Sequence, residues 1–172
     1  IKIIKKIIGL ETGKTYKNTN SLRYSKIIFM TDQDLDGSHI KGLCINFIAY
    51  LWPSLLQIPE FIGFMNTPIL KAKKGQREKV FYNQGEYDKW KNENDTKGWN
   101  IKYYKGLGTS TSKEFKEYFE RKKIVNFKFT DKSDDAIDMV FNKKRADDRK
   151  DWLGNYDRSL YLDTSHEDIS FE

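Results

Sequence analysis

The sequence predicts an α/β fold in which helices flank a largely parallel sheet. Short apolar or alternating segments, of the kind that form strands, alternate along the chain with segments of helical periodicity. Two of the predicted strands run directly into a turn and then a helix, which is the order found in α/β proteins. Ligands in such sheets bind beyond the carboxyl ends of the strands, so these two turns are the first candidates for function.

The N-terminal half shows its elements through local patterns. In the first eight residues the isoleucines fall on one side at helical spacing and the lysines on the other, and Gly9 can end that helix. The remaining predictions for this half are a polar loop over residues 11–25, a strand at Lys26–Met30, helices at Ile40–Leu51 and Pro53–Gln57, and extended arms at Phe61–Lys73 and Lys79–Tyr82 around a turn at Lys74–Gln76.

The C-terminal half continues the alternation and then becomes helical. Thr111 and Glu114 have the spacing of a capping box, which places a helix start there. We expect residues 1–130 to form one α/β domain and residues 131–172 a short helical extension with a frayed, acidic end. The predicted elements are a helix at Glu86–Lys91, strands at Trp99–Tyr104 and Asn126–Phe129, and helices after Thr111, after Lys132 and at Ala146–Leu153.

Composition limits the class of protein. The chain has 172 residues, enough for its own core, and its net charge of +6 suits a polyanionic partner such as nucleic acid. A single cysteine, Cys44, excludes a disulfide framework and a cysteine zinc cluster. No apolar run reaches the ~20 residues of a membrane span, so no membrane partner is expected. The first residue is Ile and no signal-peptide pattern follows, so we expect a piece of a longer intracellular protein.

The acidic turn after the Lys26–Met30 strand places Asp32, Asp34 and Asp36 at every second position. In an extended segment such residues project to one side about 7 Å apart, so we expect the three carboxylates to converge. Carboxylate oxygens suit Mg²⁺, Mn²⁺ or Ca²⁺ rather than zinc. Asp32 and Asp34 could hold a magnesium pair that acts on phosphate. His39 could bind a phosphate or a metal-bound water, or could be an ordinary surface histidine.

Two other interpretations of the acidic turn remain open. Residues Asp32–Gly37 match the first six positions of a calcium EF-hand loop. The twelfth position, however, is Leu43 where that loop needs a bidentate Glu, and the element before the loop has the pattern of a strand. A solvated acidic loop is the simpler alternative, although such a loop has no need to follow a buried strand.

Basic residues and glycines form the remaining candidates. Lys105-Gly106-x-Gly108 would let the backbone approach a phosphate at a helix start, although a plain tight turn has the same pattern. Arg149 and Lys150 belong to a basic cluster that interleaved aspartates could equally turn into a salt-bridged surface. Lys71 shares a strand face with Lys73, either as a solvated face or as a phosphate-facing patch.

At these residues the chain resembles a known family. Asp32–Leu43 resembles the second Toprim motif of eukaryotic-type type IIA DNA topoisomerases, and Tyr103–Glu114 is similar to a second signature of those enzymes. Asp147–Leu153 resembles a third, and the spacing between the three also fits. The resemblance runs from about Ile3 to Tyr161, and the Thr-Ser-Thr-Ser continuation after Gly108 indicates the eukaryotic branch.

The resemblance implies a Toprim fold, with a Rossmann-like, mainly parallel sheet. It also implies that Asp32 and Asp34 ligate catalytic Mg²⁺ with support from Asp36, that Lys105 lies beside the cleaved backbone, and that two basic residues contact DNA phosphates. Together with the phosphate-facing candidates, the site residues are Asp32, Asp34 and Lys105 for catalysis, Asp32, Asp34 and Asp36 for metal, and His39, Lys105, Gly106, Gly108, Arg149 and Lys150 for DNA.

The implied full-length enzyme is a nuclear homodimer that cleaves and reseals double-stranded DNA, with Mg²⁺ (Mn²⁺ or Ca²⁺ as substitutes) and ATP. The family's metal-binding glutamate, in a Glu-Gly-Asp-Ser-Ala motif, and its DNA-attacking tyrosine in the winged-helix domain have no counterpart in this sequence. We therefore expect these 172 residues alone to be inactive. A Toprim nuclease or primase would share the acidic turn, but has no reason to share the Lys105–Glu114 match.

Overall fold

The computed structural model describes residues 2–157 and 168–170 of the chain. Within that part, helices and strands alternate as the α/β class requires. The helices are α1 (Lys2–Ile8), α2 (Leu35–Leu51), α3 (Pro53–Leu56), α4 (Gln84–Glu93), α5 (Ser112–Arg121), α6 (Ser133–Phe141) and α7 (Ala146–Gly154), and the strands are β1 (Ile27–Phe29), β2 (Ile62–Met65), β3 (Leu70–Lys74), β4 (Arg77–Phe81), β5 (Asn100–Tyr103), β6 (Ile124–Lys128) and β7 (Asp168–Ser170).

The main sheet has the strand order β1-β2-β6-β7. The β1–β2 and β6–β7 pairs are parallel, with Ile28 opposite Gly63 in the first, whereas β2 and β6 run antiparallel. The α/β prediction is confirmed. The sheet is mixed, because the chain reaches β6 through a second sheet and α5 and so returns in the opposite direction.

The second sheet is antiparallel, with the order β4-β3-β5. Gly75, at a φ of +60°, makes the tight turn between β3 and β4 that the sequence predicts. The predicted extended arm Phe61–Lys73 is divided between the sheets, because β2 joins the first and β3 the second. The antiparallel hairpin is therefore confirmed, but in a separate sheet.

The larger core lies between the main sheet and α2–α3. Trp52, Leu55 and Phe61 are almost completely buried there, each contributing on the order of 2 kcal/mol through the apolar area removed from water. The Trp52 Nε1 hydrogen donates to the Glu11 carbonyl at 2.7 Å, which ties the predicted polar loop to this core. A second core packs Phe81 and Trp90 against β3.

The helices predicted near both ends of the chain are present, but the C-terminal part also contains a strand that was not predicted. Helix α1 ends at Gly9, whose φ of +86° favours glycine. Helices α6 and α7 form as expected, but β7 adds an unexpected strand beside β6. The frayed end expected after Gly154 lies mostly outside the described residues, and the domain boundary at residue 130 stays a prediction. In the described part, no helix combines the length and the apolar character needed to cross a bilayer.

Candidate functional site

The two candidate turns lie in contact although 75 residues separate them. The Leu107 backbone N–H donates to Asp32 Oδ1 at 2.6 Å. Gly106 lies so close that a Cβ placed on it would be 2.6 Å from Asp32 Oδ2. The expected adjacency of the two turns is confirmed. The two turns were expected to meet because they follow strands of one sheet, and this reason is wrong. Strand β5 belongs to the antiparallel sheet, whereas β1 pairs with β2 in the main sheet.

The start of α2 differs from the extended segment that the alternating aspartates predict. Asp34 is the N-cap of α2, and its Oδ1 accepts the Gly37 N–H at 2.7 Å. A Cβ on Gly37 would lie 2.0 Å from the Asp32 carbonyl oxygen, so only glycine lets the helix begin so close to the strand. Asp36 consequently lies in the first helical turn, where it is exposed.

The expected convergence of three carboxylates by strand alternation is therefore wrong. Across residues 2–157 and 168–170, no three acidic, histidine or cysteine side chains form a group that could hold a metal. The physical reason is the capping by Asp34, which rotates Asp36 away on the helix. The assignments of Asp32, Asp34 and Asp36 to a metal stay predictions.

Asp32 and Asp34 nevertheless share a feature suited to metal ligation. Each carboxylate has one oxygen held by a backbone N–H, and the second oxygen has no hydrogen-bond partner within the described residues. Mg²⁺ is usually bound through one or two protein carboxylates and completes its shell with water and phosphate. These two residues fit that pattern. The EF-hand alternative does not fit, because only the residues from Met30 to Asp34 separate β1 from α2.

Gln33 links the acidic turn to the end of β2. Its Nε2 donates to the Met65 carbonyl at 3.4 Å and to Thr67 Oγ1 at 3.3 Å. Gln33 lies between Asp32 and Asp34 in the sequence, so these contacts hold the acidic turn against the end of β2. Sequence reasoning missed Gln33, and no local signal would have found it because its partners lie more than thirty residues away.

The turn after β5 is held from the other side by Glu114. The capping box with Thr111 is confirmed, since the Thr111 N–H donates to Glu114 Oε2 at 2.7 Å and the Glu114 N–H donates to Thr111 Oγ1 at 3.3 Å. The same carboxylate accepts from Lys102 Nζ at 2.9 Å and from the Tyr104 hydroxyl. Glu114 thus joins the end of β5 to the start of α5 across the turn.

The electrostatics of this junction favour an ionised carboxylate. Burial tends to raise the pKa of Glu114, but hydrogen bonds from the Thr111 backbone and from the side chains of Tyr104, Lys102 and Thr111 lower that pKa to about 2. Burial and the Glu114 hydrogen bond raise the pKa of Tyr104. Tyr104 therefore donates as a neutral phenol, and the junction keeps its hydrogen bonds over the physiological pH range.

Three of the remaining predicted residues are exposed. Lys105 and Gly108 lie on the open side of the turn, and Lys105 has no hydrogen-bond or ion-pair partner among the described residues. In the described part of the chain, no side chain or backbone atom lies within 4 Å of a Cβ placed on Gly108. His39 is exposed and borders an apolar groove between α2 and α6 that Phe141 also lines. The structure joins Gly106 to Asp32, but it brings none of these three into contact with Asp32.

The C-terminal basic cluster is largely occupied within the chain. The Arg149 guanidinium donates to the carbonyls of Met139 and Asn142, each at 2.8 Å, which caps the end of α6. Lys150 pairs with Asp147 at 2.9 Å on the surface. Arg145, which pairs with Asp148 at 2.6 Å, completes a salt-bridged face. This is the alternative that the interleaved aspartates predicted, and DNA contact by Arg149 and Lys150 stays a prediction.

Comparison with known proteins places this arrangement in a class. The family described as the C-terminal associated domain of TOPRIM matches residues 65–172, and the chain belongs to it. DNA topoisomerase 2 of Plasmodium falciparum is 47% identical over 175 residues, which is 99% of this chain and 12% of that protein. DNA topoisomerase 2-alpha of Homo sapiens is 51% identical over 166 residues, covering 91% of this chain and 11% of that protein.

A solved structure agrees with the sequence relatives. The crystal structure of the Plasmodium falciparum topoisomerase II DNA-binding, cleavage and re-ligation domain matches with a TM-score of 0.94 at 47% identity. The match covers 99% of this chain and 24% of that one. The resemblance to eukaryotic DNA topoisomerase 2 is thereby confirmed, and the chain spans about an eighth or less of the curated relatives.

Proposed function

We propose that this chain is part of a type II DNA topoisomerase, in which it supplies a portion of the site that cleaves and reseals double-stranded DNA. The observation that carries the proposal is the contact between the Asp32 carboxylate and the Gly106–Leu107 backbone. It joins the two segments that resemble topoisomerase signatures. The relatives that carry the name DNA topoisomerase 2 are about half identical to this chain over the aligned length.

Asp32 and Asp34 would hold Mg²⁺, with Mn²⁺ or Ca²⁺ as substitutes, through the carboxylate oxygens that no backbone N–H of the described residues binds. When bound, Mg²⁺ would neutralise the negative charge on the phosphodiester oxygens at the bond that is cleaved. The Leu107 N–H keeps the Asp32 carboxylate in one orientation before any ligand arrives. Lys105, which is exposed and has no ion-pair partner within residues 2–157 and 168–170, would place its ammonium beside the DNA backbone.

The full-length enzyme would act in the nucleus as a homodimer and would use ATP to drive strand passage. Residues 1–172 alone would not cleave DNA, because the family's attacking tyrosine and its metal-binding glutamate have no counterpart in them. Formation of a Mg²⁺-dependent covalent adduct between DNA and this chain alone would refute that statement.

The test of the metal assignment is the pair of substitutions Asp32→Asn and Asp34→Asn in the full-length enzyme. Each should abolish DNA cleavage, measured as covalent protein–DNA complex, while duplex binding stays largely intact. Asp95→Asn, which makes the same charge change in the exposed loop before β5, is the matched control and should cleave normally. Cleavage by the Asp32 and Asp34 variants at the control rate would show that these carboxylates do not hold the metal.

A further inference from the structure

A basic pocket lies between the β3–β4 hairpin and the second half of α5. The enclosed cavity is small, about 20 Å³, and opens to solvent, and the residues that line it with charge or hydroxyl groups are Lys71, Tyr82, Glu117, Tyr118, Arg121 and Lys123. The pocket is separate from Asp32 and Asp34. It borders the turn after β5, since the Tyr118 hydroxyl lies 3.1 Å from Ser110 Oγ.

The inner part of the pocket contains a buried lysine. Lys71, on β3, is only 8% exposed, so it does not lie on the solvated strand face that its pattern allowed. Its ion-pair partner is Glu117, whose Oε2 lies 3.5 Å from Lys71 Nζ, which is long for a charge-assisted hydrogen bond. A buried cation with one loosely held carboxylate retains capacity to bind a further anion.

Arg121 and Lys123 line the outer part of the pocket. Within the described part of the chain, Arg121 and Lys123 form no ion pair, although Lys123 Nζ lies 3.6 Å above the centre of the Tyr82 ring. Glu117 is the single carboxylate among the described residues that line the pocket, so these residues together carry an excess of two positive charges. Such an excess attracts anions and disfavours cations.

The two phenols of the pocket are hydrogen-bond donors at neutral pH. Burial raises the pKa of Tyr82, and the nearby Arg121 lowers it by less. Burial likewise raises the pKa of Tyr118, with a smaller opposing effect of the Ser110 hydrogen bond. Both side chains therefore stay protonated, so they add hydroxyl groups to the pocket without adding negative charge.

We propose that this pocket binds a phosphate group, with Arg121 and Lys123 at its mouth and Lys71 at its inner end. A guanidinium can grip two phosphate oxygens at once, and an ammonium adds a compact charge. The proposal does not depend on DNA cleavage or on a metal. The competing explanation is that these cations only compensate the negative end of the α5 dipole.

The experiment titrates the 172-residue chain with inorganic phosphate in EDTA and follows the backbone amide signals by NMR. Arg121→Gln and Lys123→Gln should each weaken phosphate binding about tenfold, the loss expected for one charged contact. Lys113→Gln and Lys116→Gln, which remove exposed lysines from the same helix, should change it less than about twofold. Arg121→Lys, which keeps the charge but loses the two-point grip of the guanidinium, should bind phosphate more tightly than Arg121→Gln and more weakly than the unsubstituted chain.

Thermal unfolding of the same variants separates the two explanations. Equal phosphate affinity in pocket and control variants would overturn the proposal. Loss of stability with unchanged affinity would overturn it too, and would assign the cations to the helix end. If a short DNA duplex displaces the phosphate, the source is a DNA backbone, and each pocket variant then lowers the salt dependence of DNA binding by about 0.9 in log–log slope. If the duplex does not displace it, the pocket takes a small phosphate compound.

Discussion

Replacing Gly106 with alanine tests whether the contact between the two turns matters for function. The new Cβ would lie 2.6 Å from Asp32 Oδ2 and 2.9 Å from Oδ1. The shorter distance is about 0.8 Å inside the 3.4 Å at which ordinary contact begins, so the carboxylate or the turn must move by nearly that amount. The 2.6 Å hydrogen bond from Leu107 to the same carboxylate cannot survive this displacement unchanged.

These distances set the expected loss of stability and of cleavage rate in the Gly106→Ala variant. Loss of a hydrogen bond to a charged group costs ~1.5–3 kcal/mol, so the free energy of unfolding should fall by about that amount. For a chain of this size the thermal midpoint should then fall by roughly 3–12 °C. A displacement approaching 1 Å of a catalytic group costs ~100-fold in rate, so covalent cleavage by the full-length enzyme should fall about a hundredfold.

Two glycines provide matched controls for Gly106→Ala. Among the residues that the structure describes, none lies within 4 Å of a Cβ placed on Gly108 or on Gly154. Gly108→Ala, in the same turn, should leave the free energy of unfolding within ~0.5 kcal/mol. Gly154→Ala, at the end of α7, should leave both stability and cleavage unchanged. If the Gly106→Ala enzyme unfolds and cleaves like the Gly154→Ala enzyme, the proposed role of the contact is wrong.

Three further substitutions test side chains and a glycine that hold the turns and helix ends in place. Because the pKa of Glu114 is lowered from 4.5 to about 2 on folding, its ionised form contributes stability above pH 4.5, and this contribution is lost as pH falls toward 2. Glu114→Gln should flatten that part of the stability–pH curve in denaturant unfolding, whereas Glu120→Gln, on the exposed side of α5, should not. Arg149→Gln should lower the free energy of unfolding by ~1–2 kcal/mol, since two helix-end carbonyls lose their donor, and Lys150→Gln should change it by less than ~0.5. Gly37→Ala should cost ~1–3 kcal/mol, because its Cβ would meet a backbone carbonyl at 2.0 Å, and circular dichroism melting would show it.

The elements of this fold were predictable where a local signal marks them. The Thr111–Glu114 capping box, the Gly9 helix end and the Lys74–Gln76 turn all appear as expected. The division of Phe61–Lys73 between two sheets was not predicted, although Pro68, which has no N–H to donate to a sheet, marks a break between β2 and β3. Sheet membership depends on pairing with distant strands, which a single local pattern does not contain.

The candidate site was predictable as two segments and not as a geometry. The acidic turn and the Lys105–Ser110 turn are both visible in the sequence, but the alternation of Asp32, Asp34 and Asp36 indicates an extended chain. The capping preference of Asp34 prevails, because its carboxylate satisfies a helix N–H that would otherwise lack a partner. Local capping therefore outweighs strand periodicity, and Asp36 does not lie on the same side of the chain as Asp32 and Asp34.

That outcome gives the two aspartates different tasks. Asp34 fixes the start of α2 with one oxygen, so its position is set by the helix. Asp32 is set by a backbone N–H from the other turn, so its position depends on how the second sheet and α5 hold that turn. Glu114 fixes both ends of the same turn, through Tyr104 on one side and Thr111 on the other. A change in the second sheet or in α5 therefore reaches the Asp32 carboxylate without touching it, whereas Asp34 should respond only to changes in α2.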